Sequence, residues 1–73
     1  MKTDEQKLNI VGAAAQLLLE NGSETYRVEE TARRMARGFG MEQVNIAAFP
    51  TSVFLEADGR ACVRRISRRG TNS

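Results

Sequence analysis

The apolar residues of this chain change their spacing once, at Gly40. Before it they recur at the three- and four-residue steps of a helix. After it they recur at every second residue, as in a strand with one buried face. A chain of 73 residues with one such switch has room for a single small domain, helices first and strands second. The expected fold class is α+β: an antiparallel helix pair packed on a three-stranded antiparallel β-meander, as part of a larger domain.

Thr3 or Asp4 caps the first helix, expected over 4–21, and acidic residues occupy its first turn. Leu8, Val11, Ala15, Leu18 and Leu19 share one face, while Ala13, Ala14 and Ala15 admit a close neighbour. Asn21-Gly22 ends this helix, because glycine tolerates the left-handed conformation that closes a helix. Ser23 or Thr25 caps the second helix, expected over 25–39. In it Val28, Ala32, Met35 and Phe39 form a single stripe opposite Arg27, Glu30, Arg34 and Arg37. So short a connection makes the pair antiparallel.

Strands are expected at about 43–49, 52–57 and 60–67, with a turn at Pro50-Thr51. Ala57-Asp58-Gly59 reads as a three-residue hairpin loop with glycine in its left-handed third position. That loop pairs Leu55 with Ala61, Phe54 with Cys62 and Val53 with Val63. Val44, Ile46, Ala48, Val53, Leu55, Ala61 and Val63 then share the face that receives the helices. The opposite face carries Phe49, Phe54, Cys62 and Ile66, with Ala47, beside Glu56, Arg60 and Arg64. Apolar residues on an open face mark an interface, so Phe49, Phe54, Cys62 and Ile66 are the candidate interface residues. So short a chain buries a modest core. It is expected to lean on partner surface, either the rest of a longer polypeptide or a second copy in a homo-oligomer. Residues 69–73 read as a loop leading toward a further capped helix.

One cysteine, Cys62, rules out an internal disulfide, and with no histidine it argues against a zinc site; no metal or other cofactor is expected. Catalysis lacks its parts too. Ser23, Thr25 and Thr51 have no histidine to act as base, and Lys2 and Lys7 stand at the N-terminus. The apolar run at 10–19 is broken by Gln16, and no segment approaches the ~20 apolar residues that span a bilayer.

Charge is unevenly distributed. Residues 1–59 carry six basic and nine acidic side chains, a net of −3, and residues 60–73 carry five arginines and no acid, a net of +5. A basic end suits phosphate, anionic lipid headgroups or an acidic partner. Arg64, Arg65, Arg68 and Arg69 are the candidate membrane or anion contacts, against the plainer reading of a solvated edge strand.

The run Asn21-Gly22-Ser23-Glu24-Thr25-Tyr26-Arg27-Val28 is followed by Gly40, Phe49-Pro50-Thr51, Val63-Arg64-Arg65 and Thr71-Asn72. This series resembles the soluble N-terminal domain of the threonine/serine exporter family of membrane proteins. The likeness covers nearly all of residues 12–72. Its first block is specific and the later ones are loose. It implies a regulatory or assembly domain at the cytoplasmic face of the cell membrane, preceding the transmembrane helices of a proton-coupled exporter of threonine, serine or similar small metabolites. The implied partners are the protein's own transmembrane domain or a partner membrane subunit, with a small amino acid as candidate ligand.

Arg27 stands in the first turn of the second helix, where the macrodipole disfavours a cation. With Ser23, Glu24 and Thr25 it could hold the carboxylate and amino group of an amino acid. The plainer and favoured reading is structural, a pairing with Glu24, Glu30 or a partner chain, as for most Arg/Glu surface pairs. Asn21, Gly22, Pro50 and Thr51 are read as turn residues. The helix, Asn-Gly turn and second helix also superficially resemble the start of tetracycline-repressor-type regulators. Those proteins need a recognition helix next, whereas 43–49 alternates like a strand, so no nucleic acid is expected as a partner; the other alternative is a free-standing ligand-sensing or oligomerisation module.

Overall fold

The computed structural model describes residues 3–67. In chain order they form α1 (Asp4–Glu20), α2 (Thr25–Gly38), β1 (Val44–Phe49), β2 (Ser52–Ala57) and β3 (Arg60–Arg65). The strands make one antiparallel sheet in the order β1-β2-β3. Both helices lie on the same side of it, α1 against β2 and β3 and α2 against β1. This is the α+β fold that the change of period implies.

Local signals set the helix ends. Thr3 caps α1 in a capping box: its Oγ1 accepts from the Gln6 N–H at 3.1 Å, and Gln6 Oε1 accepts from the Thr3 N–H at 2.9 Å. Both helices close in a Schellman motif. At the end of α1, the N–H of Ser23 donates to Leu18 O and that of Gly22 to Leu19 O, each at 3.0 Å, with Gly22 at φ 91°. At the end of α2, Met41 donates to Ala36 O at 3.0 Å and Gly40 to Arg37 O at 2.9 Å. Closing α1 in this way commits Ser23 to the turn. Neither Ser23 nor Thr25 caps α2; Glu24 occupies the N-cap position, with no hydrogen bond from its side chain.

The core is built from one face of each layer. Leu8, Val11, Ala15 and Leu19 of α1 and Val28, Ala32 and Ala36 of α2 meet Ala48, Val53, Leu55 and Ala57 of the sheet, with Met41 at the end of α2. Leu19, Leu55, Val11, Val28 and Val53 are fully buried, each contributing about 1.5–3 kcal/mol over leaving it exposed. Where α1 crosses β3 it presents Gly12. A Cβ there would lie 2.9 Å from Arg64 Cδ and 3.0 Å from Cys62 Sγ, so the glycine sets how closely helix and strand approach.

The β1–β2 hairpin has the expected register, with Phe49 opposite Ser52, Ala48 opposite Val53 and Ile46 opposite Leu55. The β2–β3 hairpin does not. Ala57 pairs with Arg60, Leu55 with Cys62, Phe54 with Val63 and Val53 with Arg64, one residue away from the expected pairing. The loop has two residues, not three. Asp58 (φ 50°) and Gly59 (φ 86°) are both left-handed, the signature of a type I′ turn. Asp58 is held in this conformation from outside the hairpin. Its carboxylate accepts the N–H of Gln43 at 2.9 Å and of Glu42 at 3.2 Å, and its own N–H donates to Gln43 O at 3.0 Å.

A one-residue slip turns every side chain of a strand to the other face. Cys62 and Arg64 therefore point toward the helices, and Ile66 beyond the strand also packs against the core. Ala61, Val63 and Arg65 take the open face. Of the four candidate interface residues, Phe49 and Phe54 lie on that face and Cys62 and Ile66 do not. β3 ends at Arg65, short of the expected 67.

Candidate functional site

One end of the molecule gathers the segments that sequence reading singled out separately. Gln16 of α1 is the hub. Its Oε1 accepts from Arg64 Nε at 2.7 Å, and its Nε2 donates to Arg65 O at 3.0 Å. One turn on, Glu20 Oε2 accepts from the Ser67 N–H at 3.1 Å. The Ile66 N–H donates to Thr51 O at 2.9 Å, tying the end of β3 to the Pro50-Thr51 turn. At the opposite edge of the sheet, Glu29 Oε2 of α2 accepts from the Ala48 N–H at 2.9 Å. These bonds hold the Asn21-Gly22 turn, the Pro50-Thr51 turn and the end of β3 at a common pole. Thr51, Ser52, Arg65 and Ile66 line a shallow recess there.

The candidate ligand residues occupy the α1–α2 connection beside this pole. Ser23 and Thr25 are half-buried, and Glu24 and Arg27 are exposed. The Arg27 N–H donates to Glu24 O at 3.0 Å, so the two residues are joined through backbone. Their side chains are not paired. Among the described residues the ion pair is Arg34–Glu30, 3.1 Å apart and largely exposed, a kind worth about 0–1 kcal/mol. Arg27 pairs with neither Glu24 nor Glu30. The four residues thus offer a cation, a carboxylate and two hydroxyls on an open surface. No buried side-chain polar atom among the described residues lacks a hydrogen bond.

Arg64 and Arg65 do not form one patch. Arg64 is half-buried beneath α1 and held by Gln16, whereas Arg65 is exposed on the open face. Arg68 and Arg69 lie outside the described residues, as does the expected loop at 69–73. Among the described residues no cluster of three or more His, Cys, Asp or Glu is placed to hold a metal.

The open sheet face exposes large apolar side chains. Phe49 is 53% exposed, Phe54 38% and Val63 65%, with Ala47 and Ala61 among them and Glu56 and Arg65 at opposite ends. Against this geometry, the family model ThrE, described as a threonine/serine exporter, matches residues 9–73. The chain belongs to the threonine/serine exporter family. Comparisons with curated proteins and with solved structures give no match.

The ThrE match takes in the helix turn, the Pro50-Thr51 turn and β3 together, the segments that meet at the common pole. ThrE is a transporter family, not an enzyme family. Among the described residues no helix is long and apolar enough to cross a membrane. β1 directly follows α2, so the element that a DNA-binding helix-turn-helix would need at that position is a strand.

Gln16, Glu20, Glu29 and Asp58 position the elements, and sequence reading gave none of them that role. Gln16 carried a signal, as the one polar residue inside the apolar run at 10–19. Glu29 carried none, because an acid beside a helical stripe is ordinarily solvated.

Proposed function

We propose that this chain forms a regulatory or assembly domain at the cytoplasmic face of a threonine/serine-type exporter. In this role it meets the membrane-embedded part of its own polypeptide or a partner membrane subunit. The observation that carries the proposal is the open apolar sheet face, found in a chain of an exporter family. A contiguous exposed apolar patch marks an interaction surface. The substitution Phe54→Asp, in the full-length gene product, is expected to lower threonine or serine export or the yield of assembled protein in the membrane fraction. Unchanged export and unchanged assembly in that variant, with the domain folded, would sink the assembly role.

Arg27, with Ser23, Glu24 and Thr25, is proposed as the contact for a small amino acid. Its exposed guanidinium has no ion-pair partner among the described residues, which leaves it available to a carboxylate. Arg27→Ala is expected to impair export while changing stability by no more than about 0.5 kcal/mol. Full export in a folded variant removes Arg27 from the ligand contact, and loss of the fold would make it structural.

A further inference from the structure

We infer that the outer edge of β3 is a docking edge for an extended acidic segment of a partner protein, which adds to the sheet as a fourth strand. This goes beyond the exporter role proposed above and does not depend on it.

In an antiparallel pair, alternate residues direct both backbone groups away from the neighbouring strand. The two-residue loop makes Ala57 and Arg60 a hydrogen-bonded pair, so Ala61, Val63 and Arg65 of β3 direct theirs outward. Two independent bonds agree with this parity. Gln16 reaches the outward carbonyl of Arg65, and Glu20 reaches the outward N–H of Ser67. Side chains of α1 have thus closed the edge beyond Arg65. Among the described residues nothing bonds the outward N–H and C=O groups of Ala61 and Val63 or the outward N–H of Arg65, and all three residues are exposed. A row of this kind is a template for another strand.

Charge selects the occupant. β3 carries Arg60, Arg64 and Arg65 and no acid. Antiparallel pairing with a second copy would bring two such strands side by side, and like charges across strands are destabilising. An acidic strand is complementary. The alternation of β3 also prescribes the alternation of its partner. Side chains beside Ala61 and Val63 continue the apolar open face, and those beside Arg60 and Arg64 on the other face are carboxylates. Arg60 is exposed, and Arg64 spends its Nε on Gln16 while keeping its other donors. Glu20 marks the end of the acidic ladder, because it places a like charge beside Ser67. The other edge of the sheet is different: Glu29 occupies the outward N–H of Ala48, and β1 bears no charge.

The test uses the full 73-residue chain and two blocked hexapeptides, one alternating valine with glutamate and one alternating valine with lysine. Amide hydrogen exchange is followed residue by residue by NMR. The glutamate peptide is expected to protect the amides of Ala61, Val63 and Arg65 and to leave that of Ile46 unchanged. Val63→Pro deletes an outward donor without touching the bonds to β2 and is expected to abolish this protection. Arg60→Glu, at an exposed position, is expected to weaken binding about fivefold or more, and it decides the matter should Val63→Pro fail to fold. Equal binding of the lysine peptide, or protection at β1 in place of β3, overturns the inference. So does protection that rises with protein concentration in the absence of peptide, which would put a second copy on the edge.

Discussion

Val53 and Phe54 are neighbours in the chain and belong to opposite worlds. Val53 is fully buried under the helices, while Phe54 is 38% exposed on the open face. On the covered face Ala48, Val53, Leu55 and Ala57 are buried under the two helices, with Cys62 and Arg64 beside them. The open face keeps Phe49, Phe54 and Val63 exposed, and no described residue covers it. Size alone does not place a residue in the core of this domain. The period-2 geometry of the strand and the side on which the helices land decide it. A face that keeps aromatic residues exposed is suited to association, and the covered face is suited to holding the fold.

The difference is most sharply tested by putting the same charge on each side. Val53→Asp leaves an unpaired carboxylate in the core, at a cost of several kcal/mol. That is comparable to the roughly 3–5 kcal/mol that a core of this size supplies, so the variant is expected to be unfolded by circular dichroism at room temperature. A folded Val53→Asp would mean that the covered face is not the core. Next in size is Gly12→Leu. A side chain at Gly12 collides with Arg64 and Cys62, and overpacking of this kind costs about 1–3 kcal/mol; urea unfolding reads the loss. A variant as stable as the parent would show that α1 does not bear closely on β3.

Asp58→Ala tests what decides the membership of each face. It removes the acceptor for the Glu42 and Gln43 N–H groups and puts alanine at a left-handed position, together about 1–2 kcal/mol. Cross-strand nuclear Overhauser contacts between Phe54 and Val63 are expected to weaken. Their persistence at full stability would show that the turn does not set the register. The smallest effect on the monomer is expected from Phe54→Asp, about 1 kcal/mol or less from the poorer strand preference of aspartate. If the wild-type chain self-associates, analytical ultracentrifugation of this variant should shift it toward monomer. A loss as large as that of Val53→Asp would erase the distinction between the faces.

Much of the architecture was legible before any tertiary contact was considered. The helices expected at 4–21 and 25–39 run from Asp4 to Glu20 and from Thr25 to Gly38, because Asn21-Gly22 and Gly40 stop a helix by local backbone geometry. The candidate site was legible only in pieces. Asn21-Gly22, Phe49-Pro50-Thr51 and Val63-Arg64-Arg65 are visible as words in the sequence. Their meeting at one pole depends on Gln16, Glu20 and Glu29, polar side chains whose partners are backbone groups far along the chain. A backbone acceptor or donor leaves no mark in the sequence, so these bonds could not be read there.

By itself the sequence determined the two helices and the glycine turns that close them, the order of the strands and the pairing of β1 with β2. Each of these rests on contacts between residues close in the chain or on an apolar period. Only the tertiary structure decided which side of the sheet each residue of β3 faces. Asp58-Gly59 is compatible with a two- or a three-residue loop, and Ala61, Cys62 and Val63 are all small enough for either face, so the local pattern is indifferent. The choice falls to the Asp58 bonds with Glu42 and Gln43 and to the gap at Gly12 that admits Arg64 beneath α1. Both join residues 15 or more positions apart in the chain, where a strand's own propensities cannot reach.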